Sequence, residues 1–506
     1  MILIDGKSLT SQALYSVSVK RESVEISDQA RKEVARSREE LLSLLKENKK
    51  YYGINTGFGS LYDMDVGKDD LYKLQINLIR SHASGVGDPL PEAIVRGMLL
   101  VRINSLIKGY SGVSVDLIDH SLRLLNSGLY PYVPSYGSLG ASGDLAPLAH
   151  LALVIIGEGE VIMDGQRKPA AEALKIMGLK PYRFMEKEGV AFINGTSAIT
   201  SILGIQTVRL ENLIKSASGS AMLFFESLGG NENAFSAWVM DSRNHSGQQR
   251  IAQTFRKLLS DRPQDEKTRP KRLQDPYTIR CMPQIFGAVL DTLDYCRSVA
   301  EKEMNSVTDN PLVHNGEIIS AGNFHGEPVA LVSDFLCFAA TDLGNLLERQ
   351  LARLTDTSLS GLPPFLTEYS GLNSGYMIPQ YVAASLCNMN KVLSYPASAD
   401  SIPTSANQED HVSMGMTAAL KLKAIIDNME RLVSIHLLLS AQAFELSRVK
   451  GSSFSRGMLA LLREGVPALK EDRPAYRDIE FIREMIATTP EKINSRIEIQ
   501  GEKINA

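Results

Sequence analysis

The sequence predicts a mainly α protein, organised as a long-helix bundle with a loop-rich N-terminal region. Three observations lead to this prediction: long stretches without proline, helical spacing of apolar residues within them, and scarce strand signals. Proline inside a helix costs about 3 kcal/mol, so long proline-free windows favour long helices. These windows are residues 182–262, 284–310, 329–362 and 404–466.

The window 404–466 shows the spacing expected of a helix that buries one face. Charged residues alternate there with apolar residues that recur every three or four positions. The apolar residues are Leu422, Ile425, Ile426, Met429, Leu432, Val433 and Leu437. Residues 335–354 behave similarly, whereas the clearest strand signal is only Glu160–Met163, before the turn at Asp164-Gly165. We expect one cooperative unit, with residues 1–200 forming the loop-rich region and residues 201–506 the central and C-terminal bundle.

Composition and charge narrow the classes of partner. The formal net charge is only −4, and no basic stripe indicates binding to nucleic acid or to an anionic membrane. Small molecules or copies of the same chain are therefore the expected partners. The four cysteines are scattered without a Cys-x-x-Cys pair, and no basic, apolar leader is recognised. We expect reduced thiols, no metal site and a cytoplasmic location.

Several predicted loops are rich in Gly, Asn, Gln, His and Tyr. Loops between rigid helices are where functional groups usually lie. The loops are residues 53–59, 137–143, 194–195, 274–280, 322–326 and 404–411.

The segment Ala141-Ser142-Gly143 has two interpretations. The first is a glycine-rich turn, with Ser142 or Asp144 capping a helix that begins at Leu145. The second is chemical: in a tight bend, the amide nitrogen of Gly143 attacks the carbonyl carbon of Ala141. Loss of two waters, one of which takes the Ser142 hydroxyl, leaves a five-membered ring with an exocyclic methylene. Glycine suits the attacking position because a Cβ would crowd the ring closure.

The residues around this segment resemble the aromatic amino acid ammonia-lyases, whose prosthetic group is this ring, 4-methylidene-imidazol-5-one (MIO). The resemblance spans residues 1–470 and includes several further motifs in the same order. They are Tyr52-Gly-Ile-Asn-Thr-Gly-Phe-Gly59, Gly137-Ser-Leu-Gly-Ala-Ser-Gly-Asp-Leu-Ala-Pro-Leu-Ala-His150, Asn194-Gly-Thr196, Gln274-Asp-Pro-Tyr-Thr-Ile-Arg-Cys281, Asn305-Ser-Val-Thr-Asp-Asn-Pro-Leu312, Gly322-Asn-Phe-His325 and Ser405-Ala-Asn-Gln-Glu-Asp-His-Val-Ser-Met414.

The resemblance implies a fumarase/aspartase-like helical lyase fold, MIO as the only cofactor, and an active site in the N-terminal region. It also implies a homotetramer whose sites draw residues from more than one subunit. Ser142 then supplies the electrophilic methylene, with Ala141 and Gly143 closing the ring. Tyr52 matches the catalytic base, and its pKa, ordinarily about 10, would have to be lowered for that role.

The remaining matched positions bind the ring or the substrate. Arg280 matches the residue that binds the substrate carboxylate, which suits its bidentate guanidinium. Asn194 matches a polar contact to MIO. The expected walls of the active site are Tyr277, Gln274 and Phe324.

The substrate is predicted from His82 and Glu409, which lie where relatives acting on phenylalanine or tyrosine commonly have other residues. An imidazole has ring N–H groups that a histidine and a carboxylate can bind. A phenyl ring would leave the same buried carboxylate unpaired, at about 1–3 kcal/mol. The expected reaction is therefore the deamination of L-histidine to urocanate. A tyrosine or phenylalanine ammonia-lyase, an aminomutase, and a silent helical scaffold without the ring remain as alternatives.

Overall fold

A computed structural model describes residues 1–47, 49–59, 64, 66–67, 70–264, 270 and 272–499. Helices dominate the described chain, as predicted. In chain order they are α1 (Ser11–Ser18), α2 (Asp28–Leu44), α3 (Leu71–His82), α4 (Glu92–Leu106), α5 (Val115–Ser127), α6 (Leu145–Ile155), α7 (Ala170–Ile176), α8 (Glu188–Ile193), α9 (Ser197–Ser227), α10 (Ala237–Asp241), α11 (Ser246–Leu258), α12 (Tyr277–Arg280), α13 (Met282–Met304), α14 (Glu327–Thr355), α15 (Thr357–Ser360), α16 (Met377–Leu393), α17 (Gly415–Ser447), α18 (Ser453–Arg463), α19 (Tyr476–Thr488) and α20 (Glu491–Asn494). Short 3₁₀ turns occupy Glu232–Phe235, Pro364–Leu366 and Ser405–Asn407.

The strands are short and form small separate sheets. They are β1 (Ile2–Ile4), β2 (Val24–Ile26), β3 (Val86–Pro89), β4 (Tyr130–Pro131), β5 (Pro134–Tyr136), β6 (Glu160–Met163), β7 (Gln166–Pro169), β8 (Leu312–His314) and β9 (Glu317–Ile319). β1 and β2 pair in parallel, whereas β3–β5, β4–β6–β7 and β8–β9 pair antiparallel. The predicted strand at Glu160–Met163 is confirmed as β6, which forms a hairpin with β7.

Each proline-free window holds all or nearly all of a long helix, since α13 and α14 begin only two residues before their windows, and this confirms the helical prediction. α9 has 31 residues, α13 has 23, α14 has 29 and α17 has 33. By length and composition alone, α14 could cross a membrane. However, 67% of its most apolar stretch is buried inside the fold, as in the core helix of a globular protein.

The chain divides into two compact units, each made of segments that are distant in sequence. Unit 1 contains Met1–Val208, Cys296–Asp334 and Pro396–Leu420, and unit 2 contains the remaining described residues. The predicted division at residues 200 and 201, with a single cooperative unit, stays a prediction.

Each unit has its own core. In unit 1, α4 packs against α1 and α5, and α6 packs against α3 and α8. Every residue of α4 from Ile94 to Leu106 is buried, including two arginines. In unit 2, Phe235 lies at the centre of an aromatic cluster, 5.0 Å from Phe225 and 5.3 Å from Phe255 between ring centroids. The core of unit 1 positions the loops described next.

Candidate active site

Six of the predicted site residues with polar or aromatic side chains line one cavity in unit 1, of about 1070 Å³. They come from loops and helix ends rather than from one element. They are Tyr52, His82 at the end of α3, Ser142 before α6, Asn194 after α8, Phe324 before α14, and Glu409. Within the described part of the chain, this lining contains carboxylates but neither lysine nor arginine.

The Ala141-Ser142-Gly143 segment is held in a tight bend. Gly143 has φ +69° and forms a bridge with Gly195. A Cβ at Gly143 would lie 2.3 Å from the carbonyl carbon and oxygen of Gly195, so only glycine fits there. The Asn194 Nδ2 donates to the Ser142 carbonyl oxygen at 2.7 Å. Ala141 is only 7% exposed, so the residues on both sides of Ser142 are enclosed.

Asp144 does not cap α6, so the capping interpretation of this segment is wrong. It occupies the N-cap position, but its side chain makes no capping hydrogen bond there. Instead, its carboxylate accepts from the backbone N–H groups of Ala198 at 2.7 Å and Ile199 at 3.0 Å, at the start of α9. Burial raises the pKa of Asp144 to about 6, although these hydrogen bonds oppose the shift. Asp144 thus ties the Ala-Ser-Gly bend to α9.

Glu409 lies beside Ser142. Its Oε1 accepts from the Ser142 hydroxyl at 2.7 Å, and its Oε2 accepts from the Thr404 hydroxyl at 2.8 Å. Paired backbone hydrogen bonds between Thr404 and Glu409 close the turn between them. Within that turn, residues 405–407 all have positive φ values without being glycine. Each such residue costs of order 1–3 kcal/mol, and strain of this kind concentrates at functional sites.

His82 is fixed as a neutral ring. Its Nδ1 lies 2.9 Å from the carbonyl oxygen of Leu78, which can only accept, so we assign the ring proton to Nδ1. The Ser81 hydroxyl lies 3.0 Å from the same nitrogen. Burial lowers the pKa of His82, although the Leu78 hydrogen bond and the charge of Glu409 oppose this. The ring therefore has Nε2 left as a hydrogen-bond acceptor near neutral pH.

Tyr52 has an environment opposite to the one expected from the sequence. Its hydroxyl oxygen accepts from the backbone N–H of Gly59 at 3.0 Å. Burial raises the pKa of Tyr52, and the nearby charge of Glu409 raises it further, whereas the Gly59 hydrogen bond lowers it. The lowering that a base role would require is not supplied by the described cavity lining, which contains neither lysine nor arginine.

Gln274, Tyr277 and Arg280 form a separate cluster in unit 2 and are not among the described residues that line the cavity. With its amide oxygen facing Arg280, Gln274 accepts from both terminal guanidinium nitrogens. The Arg280 guanidinium carbon lies 4.6 Å from the ring centroid of Tyr277, which is 68% exposed. The Arg280 Nε is buried and has no partner among the described residues.

Sequence reasoning missed two residues that hold the site. Thr404 fixes Glu409, and Arg102 donates from Nη1 to the carbonyl oxygen of Asn194 at 2.6 Å. Arg102 carries a recognisable signal, since it is a charged residue inside the otherwise apolar run Met98–Ile103 of α4. Thr404 carries none beyond its place in a polar loop.

Comparisons with known proteins identify the family of this chain. The sequence profile of the family described as "Aromatic amino acid lyase" matches residues 9–464. The chain belongs to this family. A relative named probable histidine ammonia-lyase, from Thermoplasma volcanium, is 53% identical over 486 residues, which is 96% of this chain and 98% of that protein.

Solved structures confirm the predicted helical lyase fold. The histidine ammonia-lyase of Trypanosoma cruzi superposes with a TM-score of 0.91 at 36% identity, covering 98% of this chain and 96% of its own. A tyrosine aminomutase from Streptomyces globisporus superposes with a TM-score of 0.94 at 34% identity, covering 99% and 100%. Because enzymes named for different reactions share the fold so closely, the substrate has to be argued from the cavity.

Proposed function

We propose that this chain is a histidine ammonia-lyase, which converts L-histidine to trans-urocanate and ammonia in the first step of histidine degradation. One observation carries the proposal: two hydrogen-bond acceptors, His82 Nε2 and the Glu409 carboxylate, belong to the cavity that contains Ser142. The ring N–H of histidine supplies a donor to such acceptors. A phenyl ring supplies none, so a bound phenylalanine would leave a carboxylate unpaired at about 1–3 kcal/mol.

Tyrosine is the second candidate substrate. Its hydroxyl offers one donor at the far end of the ring, and the tyrosine aminomutase resembles this chain closely in fold. One difference argues against tyrosine. A phenol places its donor beyond the ring, whereas an imidazole N–H belongs to the ring itself. We therefore propose histidine first, with tyrosine or phenylalanine deamination and amine migration as the alternatives.

The residues fit an MIO group formed from Ala141-Ser142-Gly143. The bend leaves no room for a Cβ at Gly143, and Asn194 would hold the group through the carbonyl oxygen of Ser142. When formed, MIO supplies an electrophile that activates the substrate for loss of ammonia. Ring closure also removes the Ser142 hydroxyl, which is the donor to Glu409 Oε1. That carboxylate oxygen would then be available to the substrate N–H.

Tyr52 is our proposed base for the β-proton. Its hydroxyl is held by the Gly59 N–H on the same cavity as Ser142 and Glu409. A tyrosine with a raised pKa stays protonated at neutral pH, so a positive charge has to approach it before it can accept a proton. Such a charge is absent from the described lining, and we propose that it arrives through assembly.

Arg280 is our proposed carboxylate site, with Gln274 and Tyr277 orienting its guanidinium. We propose a cytoplasmic homotetramer in which the Arg280 cluster of one copy completes the cavity of another. The described part of the cavity lining has neither lysine nor arginine, which supports this arrangement, because an amino acid substrate brings a carboxylate that a guanidinium can bind.

The product of the purified enzyme tests the reaction. We expect L-histidine to yield trans-urocanate and free ammonia, identified by proton NMR and an ammonia assay. β-Histidine in place of urocanate would contradict the lyase proposal in favour of an aminomutase. Unchanged histidine, with tyrosine or phenylalanine consumed, would contradict the substrate assignment.

Mixed assemblies test the shared site. We expect that an assembly made only of Tyr52→Phe copies is inactive, and likewise an assembly made only of Arg280→Met copies. If residues from different copies meet, co-expression of the two variants restores activity, because some sites receive both wild-type side chains. Mixed assemblies that stay inactive, despite verified co-purification of both variants, would contradict sharing.

A further inference from the structure

Arg102 is fully buried in the C-terminal half of α4. Its Nη1 donates to the carbonyl oxygen of Asn194 at 2.6 Å, and its Nη2 donates to the Ser105 hydroxyl at 2.8 Å. A buried guanidinium carries a large desolvation penalty, which its contacts have to offset. Burial lowers the pKa of Arg102, and the charges of Asp309 and Asp144 oppose the shift.

The group that Arg102 holds is the Asn194-Gly195 peptide. Gly195 has φ +144°, and a Cβ there would lie 2.2 Å from Arg102 Nη1 and 2.6 Å from the Thr308 hydroxyl. On its other side, the Gly195 carbonyl occupies the space that a Cβ of Gly143 would need. Gly195 is therefore packed between the guanidinium of Arg102 and the backbone of Gly143.

The same peptide contacts the Ala-Ser-Gly bend through hydrogen bonds. Asn194 Nδ2 donates to the Ser142 carbonyl oxygen at 2.7 Å, and the Gly195 carbonyl accepts from the Asp144 N–H at 2.7 Å. Arg102 thus lies one peptide away from the segment proposed to cyclise. Nearby, the buried Lys187 pairs with Asp309 at 3.1 Å, and the charge of Asp309 acts on Arg102.

Ring closure makes a geometric demand on this segment. The Gly143 nitrogen forms a bond to the Ala141 carbonyl carbon, and the Ala141 oxygen leaves as water with the amide hydrogens of Ser142 and Gly143. A second water leaves with the Ser142 hydroxyl and its Cα hydrogen, and no oxidant is required. In an extended peptide the Gly143 nitrogen does not reach the Ala141 carbonyl carbon. Closure therefore depends on a wall of neighbouring groups that keeps the bend compressed.

We propose that Arg102 is a positioning residue for this self-cyclisation: it fixes the Asn194-Gly195 peptide as that wall. The inference rests on the proposed formation of MIO, and it assigns Arg102 no contact with substrate. Its fork geometry matters, because two fixed donors hold both Asn194 and Ser105, whereas a lysine ammonium cannot reproduce that fork.

Arg96 provides a matched control on the same helix. It is also a buried arginine, 4% exposed, and it donates only to backbone carbonyls, those of Val17 and Leu125. Neither carbonyl belongs to the Ala-Ser-Gly bend. A general effect of removing a buried guanidinium from α4 should therefore appear equally in variants of Arg96.

The test is the intact mass of purified Arg102→Met, Arg102→Lys, Arg96→Met and wild type, with circular dichroism and size-exclusion chromatography to select folded protein. Ring closure lowers the mass by two waters, about 36 Da. We expect this loss in the wild type and in Arg96→Met, and an unshifted mass in folded Arg102→Met. Should Arg102→Met not fold, Arg102→Lys decides: after cell-free synthesis, its mass should shift at least about tenfold more slowly than that of the wild type.

The outcomes separate this inference from the proposed function. An Arg102→Lys protein that loses the two waters at the wild-type rate, or a folded Arg102→Met protein fully shifted, would overturn the positioning role. Equal slowing in Arg96→Met would overturn it as well. An unshifted wild type would contradict MIO formation itself, whatever the variants show.

Discussion

Replacing Glu409 with glutamine tests how the cavity selects its substrate. The change keeps the size of the side chain and removes its negative charge. Thr404 can still donate to the amide oxygen, as it now donates to Oε2 at 2.8 Å, so the loop should keep its conformation. What is lost is the charged acceptor for the substrate N–H, which we propose to be Oε1.

The size of the effect follows from the type of hydrogen bond lost. A hydrogen bond to a charged group contributes about 1.5–3 kcal/mol, and a neutral one about 0.5–1.5 kcal/mol. The difference of about 1–2 kcal/mol corresponds to a fall of roughly 5–30-fold in kcat/KM for histidine. The assay follows urocanate in the near ultraviolet, on protein whose intact mass shows complete ring closure.

Asp410→Asn is the matched control, because Asp410 is an exposed carboxylate on the same cavity lining and is next in sequence. We expect it to change kcat/KM by much less than Glu409→Gln does. Undiminished activity of Glu409→Gln on histidine would refute the role of this residue. An equal loss in both variants would show that general negative charge, rather than the position of Glu409, determines the rate.

Four further predictions follow from named contacts. His82→Phe removes the second acceptor and should lower kcat/KM for histidine by about tenfold or more, with a smaller effect on tyrosine, measured with both substrates; an equal effect on the two would contradict the assignment. Arg280→Lys loses the bidentate fork and should raise KM for histidine about tenfold with a smaller change in kcat; an unchanged KM would exclude Arg280 as the carboxylate site. Gly143→Ala places a Cβ 2.3 Å from the Gly195 carbonyl and should give protein without the mass loss of about 36 Da, whereas a normal loss would show that the bend relaxes. Burial lowers the pKa of His436 from 6.5 to about 3, so the unfolded chain binds the extra proton and stability falls as the pH drops below 6.5. Between pH 6.5 and about pH 4.5 this amounts to about 2 kcal/mol, and His436→Gln should flatten that part of the unfolding profile; an unchanged slope would contradict it.

The long helices could be predicted from sequence because proline placement and apolar spacing are local properties. The polar loops can also be located from sequence, and three of their residues, Tyr52, Asn194 and Glu409, line one cavity. Motif order identified the loops, and the fold then brought them together.

Properties that depend on tertiary contacts could not be predicted from the sequence. The direction of the Tyr52 pKa shift depends on burial and on the distance to Glu409, neither of which a motif encodes. Asp144 looks like the cap of α6 in sequence, yet its carboxylate binds the start of α9. Arg102 interrupts an apolar run visibly, but its partner Asn194 is 92 residues away. Each of these results from a contact between segments far apart in the chain.

A competition assay between three amino acids directly tests the assignment of histidine as the substrate. The purified enzyme receives equimolar L-histidine, L-tyrosine and L-phenylalanine, and the products are separated by chromatography at early times, when their ratio equals the ratio of kcat/KM values. We expect urocanate in large excess over coumarate and cinnamate. Coumarate or cinnamate as the main product would contradict the assignment of His82 and Glu409 as the imidazole site.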